Sequence, residues 1–271
     1  MPYNLNYRIW MKNIFAISFF SILFILSSFN YTGVKDVTVR KIVIDAGHGG
    51  KDPGTFGSYS KEKDIALSIA LETGEIIKKY MPEVEVIYTR QDDSFPTLFE
   101  RSDLANKNDA DLFISIHCNN APWSNEVHGT ETYVMGLKNF DRNFEVAKRE
   151  NSVILLEENY EETYQGFDPN SPESYILFSL TQSVYQEQSI LLATNVEDQF
   201  KNRVGRKSRG VKQSSLYLLW SSAMPSILVE TGFLSNPKEE EELNDKLQQT
   251  YIASGIYRAF RDYKTEIESK N

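Results

Sequence analysis

Residues 39–46 read VRKIVIDA and lead directly into the glycine-rich turn Gly47-His48-Gly49-Gly50. The run is short, apolar and rich in β-branched side chains, which is typical of a buried β-strand. The glycines around His48 leave room for an ion or a substrate close to the backbone. This stretch therefore predicts an α/β protein in which a loop after a strand carries a functional group.

Outward from this stretch, apolar runs with strand character alternate with segments of helical period. The sequence predicts strands at 39–46, 84–89, 111–118, 128–135 and 226–230, and helices at 62–80, 98–108, 191–200, 238–247 and 249–267. The run 111–118 is almost continuously apolar, as expected of a strand covered on both faces, whereas 128–135 alternates like an edge or antiparallel strand. The order predicts an α/β fold with a mostly parallel central sheet, helices on both faces and a single layered domain.

Composition limits the classes of function. The chain has 271 residues with 41% hydrophobic content, which excludes a disordered or fibrous protein. Its formal net charge of −9 does not favour neutralising phosphates, so nucleic acid is not an expected partner. Cys118 is the one cysteine of the sequence, which excludes an intramolecular disulfide and a cysteine-rich zinc finger.

Residues 1–34 have the pattern of a targeting segment. Arg8 and Lys12 precede the apolar run IFAISFFSILFILSSF at 14–29, and no charge follows before Lys35. This order is typical of a secretory signal peptide, although the absence of a small-x-small cleavage site leaves an uncleaved membrane anchor open. We expect an exported protein of the periplasm or cell envelope that contacts membrane only through this segment, if it is retained.

Three predicted strands end at or just before a residue that can bind a metal or move protons: His48, His117 and Glu230. The carboxyl ends of strands in an open α/β sheet form the ligand crevice, so these side chains should meet at one site. A single histidine after a strand is more often a structural hydrogen-bonding group. However, His117 and Glu230 each adjoin apolar runs, where polar groups are costly unless partnered.

Two histidines without a second cysteine favour zinc. Catalytic zinc takes about three protein ligands and leaves a position open. Glu62, at the start of the first long helix, would supply the third ligand; its alternative role is that of an acid stabilised by the helix dipole. Glu230 would then be a general base rather than a ligand. The spacing predicts a zinc hydrolase with one ion and leaves the cleaved bond unknown.

Four motifs resemble those of the zinc-dependent, type-3 N-acetylmuramoyl-L-alanine amidases of bacterial cell walls. They are VIDAGHGG at 43–50 followed by DPG at 52–54, Glu62-Lys63, SIHCN at 115–119 and LVETGFLSN at 228–236. The resemblance covers about residues 40–260. It implies one zinc ion on His48, Glu62 and His117, with Glu230 as the catalytic carboxylate. It also implies that peptidoglycan is cleaved between N-acetylmuramic acid and the L-alanine of the stem peptide, in wall remodelling or daughter-cell separation.

Two alternatives stay open: another zinc peptidoglycan hydrolase of carboxypeptidase type, and a non-catalytic wall-binding regulator. Two further residues with metal-binding side chains are expected outside the metal site. Strand alternation points Cys118 away from His117 and into the core. His128 begins a strand at a turn, which favours a place at the surface or behind a ligand.

The resemblance divides the rest of the chain, 35–271, into a catalytic domain and a helical insertion at 137–190, named the 137–190 segment below. Some exported members of the family carry a helix here that blocks the cleft until a partner displaces it. Blocking a metal needs an anionic side chain, and the segment offers Glu150, Glu157, Glu158, Glu161 and Glu162. We expect Glu157 and Glu158 to face the crevice, and an envelope activator protein to relieve this autoinhibition. A helical pair packed on the surface is the alternative.

Overall fold

The computed structural model describes residues 38–138, 140–179 and 184–270. The predicted targeting segment at 1–34 lies outside the described residues. Among the residues that are described, no helix is both long enough and apolar enough to cross a membrane.

A mixed sheet of six strands forms the centre of the described part of the chain. The strands are β1 (Lys41–Ala46), β2 (Glu85–Tyr88), β3 (Leu112–Asn119), β4 (Thr130–Met135), β5 (Ser208–Ser214) and β6 (Ser226–Phe233), in the spatial order β2-β1-β3-β6-β4-β5. Strands β2, β1, β3 and β6 are parallel, whereas β4 is antiparallel to β6 and parallel to β5. The predicted, mostly parallel sheet is confirmed.

Helices cover both faces of this sheet. In chain order the described helices are α1 (Glu62–Tyr80), α2 (Leu98–Lys107), α3 (Phe140–Asn151), α4 (Tyr160–Thr163), α5 (Pro172–Ser179), α6 (Gln186–Gln199), α7 (Tyr217–Trp220), α8 (Pro237–Asn244) and α9 (Lys246–Glu268). A 3₁₀ turn at Ser152–Leu156 follows α3, and a π turn at Phe200–Val204 follows α6.

Alternation along the buried strands decides which side chains face which layer. Ile114, Ile116 and Cys118 of β3 join the apolar cluster formed with α1, α6 and α9. Phe113 joins the opposite cluster, with residues of α2 and α7. His117 has the same parity as Phe113, so it points to the face opposite Cys118. The expected place of Cys118 in the core agrees with its complete burial.

Residues 140–179 of the 137–190 segment cover the face of the sheet to which His117 points. Their side chains form an apolar cluster with strands β4 and β6, built by Tyr133, Ala147, Ile154, Tyr164, Phe167, Tyr175 and Leu228. The predicted helical insertion contains α3, which ends at Asn151 and gives way to the 3₁₀ turn. Within the predicted insertion, residues 139 and 180–183 lie outside the described residues.

Strand β5 is absent from the sequence prediction. Its sequence, SRGVKQS, has one aliphatic side chain and a central glycine, and most of its residues are only partly buried. An edge strand has one neighbour and can remain polar, so its apolar signal is weak. This strand forms because it pairs with β4. The pattern of residue types within the segment does not encode that pairing.

A buried ion pair joins β1 to α2. Arg101 Nη1 donates to Asp45 Oδ1 at 2.7 Å, and the same guanidinium donates to the carbonyls of Ala46 and His48. Ser115 Oγ and Thr89 Oγ1 donate to the Asp45 carboxylate as well. Burial opposes ionisation of Asp45, but Arg101 and the two hydroxyls lower its pKa to about 2. This network fixes the turn that carries His48.

Replacing Arg101 with alanine leaves the Asp45 charge buried without its main partner. We expect the free energy of unfolding to fall by about 3–5 kcal/mol in urea denaturation at neutral pH. The matched control is Lys107→Ala, also on α2, because its ion pair with Asp103 lies at the surface and contributes at most about 1 kcal/mol. Equal losses in the two variants would contradict the assignment.

The same carboxylate predicts an acid dependence of stability. Folding lowers the pKa of Asp45 from 3.8 to about 2. The contribution of Asp45 is therefore fully present above the unfolded value and is lost as the pH falls through the folded one. We expect Asp45→Asn to flatten the loss of stability between these pH values in thermal unfolding, and an unchanged slope would contradict this.

Candidate active site

The residues predicted to form one site meet at the carboxyl edge of the sheet. His117 and Glu230 are register neighbours on β3 and β6. His48 lies in the turn after β1, and Glu62 is the first residue of α1. All four side chains are buried.

The turn after β1 presents His48 in a fixed orientation. His48 has a φ of 60°, and Gly49 and Asp52 form a short antiparallel bridge directly after it. His48 Nδ1 hydrogen-bonds with Asp52 Oδ2 at 2.6 Å. A carboxylate on one ring nitrogen fixes the tautomer and leaves the other nitrogen available as a ligand. That other atom, Nε2, points toward Glu62 Oε1 at 3.0 Å.

Glu62 connects the elements of the site. Its Oε2 accepts from the backbone N–H of Thr55 at 2.8 Å, and its Oε1 accepts from the N–H of Cys118 at 2.9 Å. His117 Nδ1 lies 3.0 Å from the same Oε1. Burial would raise the pKa of Glu62, but His48 and His117 hold it well below its usual value. Glu62 therefore lies beside both histidines, which agrees with the expectation that it supplies a third ligand atom.

Two glycines keep the space between these groups open. A Cβ on Gly47 would lie 2.4 Å from the ring of His117. At Gly54, where φ is +67°, a Cβ would lie 2.6 Å from the His48 ring and 2.7 Å from Glu62 Oε2. Any larger residue at either position would displace a side chain of the site.

A fourth buried donor comes from the 137–190 segment. Glu150 Oε2 lies 3.1 Å from His117 Nδ1 and 3.5 Å from His48 Nε2. Burial lowers the pKa of His117, yet Glu150 and Glu62 outweigh it and raise that pKa to about 9. In the same way Arg149 and His117 overcome burial and lower the pKa of Glu150 to about 2.

These four residues form a possible metal site. His48, Glu62, His117 and Glu150 each offer one ligand atom, and these atoms all lie within 4.8 Å of one another. Within the described part of the chain, His48 Nε2 and Glu150 Oε2 have no hydrogen-bond partner although they are buried. Buried polar atoms of this kind are normally satisfied, so a cation bound among them resolves the deficit. Two nitrogen and two oxygen donors fit a zinc ion.

Glu230 lies beside this group but is not one of the four donors. Its Oε1 accepts from Arg149 Nη2 at 3.1 Å, and its Oε2 has no hydrogen-bond partner among the described residues. Burial raises the pKa of Glu230 to about 8, even though Arg149 opposes the rise. A buried carboxylate with a pKa near neutrality beside a cluster of metal-binding residues suits proton transfer.

The expectation that Glu157 and Glu158 face the crevice is wrong. The Tyr164 hydroxyl donates to the Glu157 carboxylate at 2.8 Å, and Glu158 is exposed. Glu150 takes the expected place instead, because α3 ends at Asn151. The Asn151 side chain fastens that end through the carbonyl of Ser215 and the N–H of Tyr217.

The neighbouring Arg149 is a residue that sequence reasoning missed. Its guanidinium contacts Glu230, the side chain of Asn119 and the carbonyl of Asn120. No local sequence pattern predicts the contact between Arg149 and Glu230, since the two residues are far apart in the chain. By contrast, His128 lies outside the metal-binding group, and its Nδ1 hydrogen-bonds with the carbonyl of Glu126 at 2.8 Å.

Comparisons with known proteins agree with the resemblance found in the sequence motifs. Residues 42–262 match the family model described as N-acetylmuramoyl-L-alanine amidase. The amidase AmiA of Escherichia coli K12 is 31% identical over 228 residues, which are 83% of this chain and 76% of AmiA.

Solved structures agree with the sequence match. The N-acetylmuramoyl-L-alanine amidase of Clostridium difficile 630 superposes with a TM-score of 0.64 at 27% identity and covers 84% of this chain and 97% of its own. The CwlD amidase of Clostridioides difficile, solved in complex with the GerS lipoprotein, gives 0.62 at 27% identity and covers 84% and 99%. This chain therefore belongs to the N-acetylmuramoyl-L-alanine amidase family and is a hydrolase of peptidoglycan.

Proposed function

We propose that this protein is a zinc-dependent amidase that hydrolyses the bond between N-acetylmuramic acid and the L-alanine of the stem peptide. His48, Glu62 and His117 would hold one zinc ion, and Glu230 would be the catalytic carboxylate. The observation that carries the proposal is the group of buried donor atoms within 4.8 Å of one another, with Glu230 beside it, in a chain of this family.

In the proposed reaction, zinc supplies Lewis-acid activation of water and of the amide carbonyl. The Glu230 carboxylate accepts the proton of the attacking water and then delivers it to the departing alanine nitrogen. The amide C–N bond breaks, and the products are a free lactyl carboxylate and a peptide with an L-alanine amino terminus. Asp52 holds His48 in its orientation throughout, since it binds the opposite ring nitrogen.

The resting enzyme is autoinhibited in this proposal. Glu150 would occupy the coordination position that catalysis needs open, and Arg149 pairs with the carboxylate that catalysis needs free. The two blocking residues are adjacent on α3, so one displacement of the helix end releases both. An envelope activator protein that binds the displaced 137–190 segment would shift this equilibrium. The CwlD relative was solved with a protein partner, which supports a partner of this kind.

We place the enzyme in the cell envelope, in wall remodelling or daughter-cell separation. Residues 1–34 would direct export, either as a cleaved signal peptide or as a retained anchor, and 35–271 would form the catalytic domain with the 137–190 segment inserted. Purified sacculi test the chemistry. Release of peptides with L-alanine amino termini supports the amidase, release of D-alanine would indicate a carboxypeptidase, and binding without products would indicate a regulator.

Replacing either histidine of the proposed site should abolish zinc binding. We expect His48→Ala and His117→Ala to fall from about one zinc ion per chain to nearly none, measured by elemental analysis. Both variants should stay folded by circular dichroism, because the site lies at the edge of an existing core. His128→Ala is the matched control and should keep its zinc. Zinc retained in both site variants would contradict the ligand assignment.

A substitution at Glu230 distinguishes a general base from a metal ligand. We expect Glu230→Gln to keep its zinc and lose turnover by about 10²–10⁴-fold, the usual share of a general base. The exposed Glu126→Gln serves as control and should keep its activity. If the Glu230 variant loses metal instead, Glu230 is a ligand and the assignment fails.

If Glu150 blocks the site, removal of its side chain should raise the hydrolytic activity. We expect Glu150→Ala to raise basal hydrolysis of sacculi by about 5–150-fold, which corresponds to a coupling of about 1–3 kcal/mol. The double variant Glu157→Ala/Glu158→Ala is the control from the same segment and should stay at the basal rate. High hydrolysis by the intact chain, unchanged in Glu150→Ala, would refute autoinhibition.

A further inference from the structure

A cleft of about 430 Å³ opens beside the proposed metal centre. One side is lined by the loops after β1 and β3, through Gly54, Thr55, Phe56 and Asn120. The other side belongs to the 137–190 segment, through Arg149, Ser152, Val153 and Leu156. The first wall is part of the catalytic core, so it stays in place when the segment is displaced.

Three large aromatic side chains are exposed on the loops of this first wall. Phe56 is 56% exposed, Tyr59 is 67% exposed and Trp123 is 72% exposed. Phe56 and Tyr59 lie in the hairpin 55–61 after β1, and Trp123 follows Asn120 in the loop after β3. Single exposed apolar residues are ordinary on a protein surface. Phe56 lines the cleft itself, and Tyr59 and Trp123 lie on the same two loops that line it. Three exposed aromatics on these two loops indicate a binding surface.

A single buried carboxylate fixes the backbone of the hairpin 55–61. Glu240 of α8 is buried and accepts five hydrogen bonds, from the N–H groups of Ser58, Tyr59 and Ser60 and from the hydroxyls of both serines. Burial opposes its ionisation, but the bonds from Ser58, Tyr59 and Ser60 lower the pKa of Glu240 to about 2. Gly57 is required here, because a Cβ would lie 2.1 Å from Glu240 Oε1.

The same helix also holds the second loop. Asn236, the N-cap of α8, donates through Nδ2 to the carbonyl of Asn125 at 2.7 Å. Ser235 Oγ accepts from the N–H of Ala121 at 2.9 Å. Both aromatic loops are therefore fixed to one element that follows β6. Loops ordered before binding lose less entropy when a ligand arrives, which favours a preformed site.

We propose that Phe56, Tyr59 and Trp123, named the aromatic rim, bind the glycan strand of peptidoglycan. The inference rests on the proposed function for the position of the substrate. A lactyl group alone separates the scissile amide from the sugar ring, so a bound substrate brings its glycan to the wall that Phe56 lines. Sugar rings present apolar C–H faces, which pack against the faces of aromatic side chains. The glycan therefore has the chemistry that the rim recognises.

Peptide-free glycan strands test the rim without any hydrolysis. Because the rim is exposed while the 137–190 segment is in place, the intact chain should bind these strands in co-sedimentation. We expect the variant Tyr59→Ala/Trp123→Ala to bind them about tenfold more weakly, and Phe56→Ala to weaken binding further in the triple variant. Tyr80→Ala is the matched control, because Tyr80 is 59% exposed at the end of α1, near the opposite edge of the sheet.

Glu240→Gln tests the anchoring without removing any aromatic ring. We expect it to weaken glycan binding several-fold and to lower the melting temperature, because an amide accepts fewer of the five hydrogen bonds, while far-ultraviolet circular dichroism stays that of the folded chain. In the Glu150→Ala background, the rim variants should raise KM for polymeric peptidoglycan more than KM for a soluble muramoyl peptide, which presents only one sugar ring.

The outcomes separate the two proposals. Glycan binding by the triple variant equal to that of the intact chain overturns the rim, as does an intact chain that binds no glycan. Neither result affects hydrolysis by the proposed site. Conversely, an absence of hydrolysis in every variant, with glycan binding that still depends on the three rings, overturns the proposed function and leaves the rim.

Discussion

The buried carboxylate of Glu62 is the interaction on which the arrangement of the site depends. It accepts hydrogen bonds from the backbone of the 55–61 hairpin and from the backbone of β3, and it faces both histidines. A charge at this depth is stable only with several partners. The fold supplies them by bringing the turn after β1, the start of α1 and the end of β3 to the same point.

Other buried polar groups of the site also need partners, and the 137–190 segment supplies two of them. His48 Nε2 and Glu230 Oε2 are buried without hydrogen-bond partners among the described residues, and Glu150 and Arg149 approach these groups with complementary charge. The segment thus uses the charges that the proposed catalysis requires. In the proposed autoinhibition, the blocking residues contact the groups that would bind zinc and transfer the proton, so one displacement of α3 would release both.

Helix α8 fixes the wall of the cleft that is formed by the loops after β1 and β3. Asn236 and Glu240 hold two loops that carry exposed aromatic rings, so the surface around the site is ordered independently of the 137–190 segment. One wall of the cleft is fixed to the core of the domain, and the other belongs to a segment that packs on β4 and β6 through a separate apolar cluster. This division allows one wall to move while the other keeps its shape.

Local patterns in the sequence predict the fold class, the order of most strands and helices, and the positions of His48, Glu62, His117 and Glu230 at one edge. These features follow from local periodicity and from the rule that carboxyl ends of parallel strands meet. Three features emerge only from long-range contacts: Glu150 rather than Glu157 approaches the histidines, Arg149 contacts Glu230, and β5 forms. Each of these depends on where a helix ends or how an edge strand pairs, and contacts between distant residues set both.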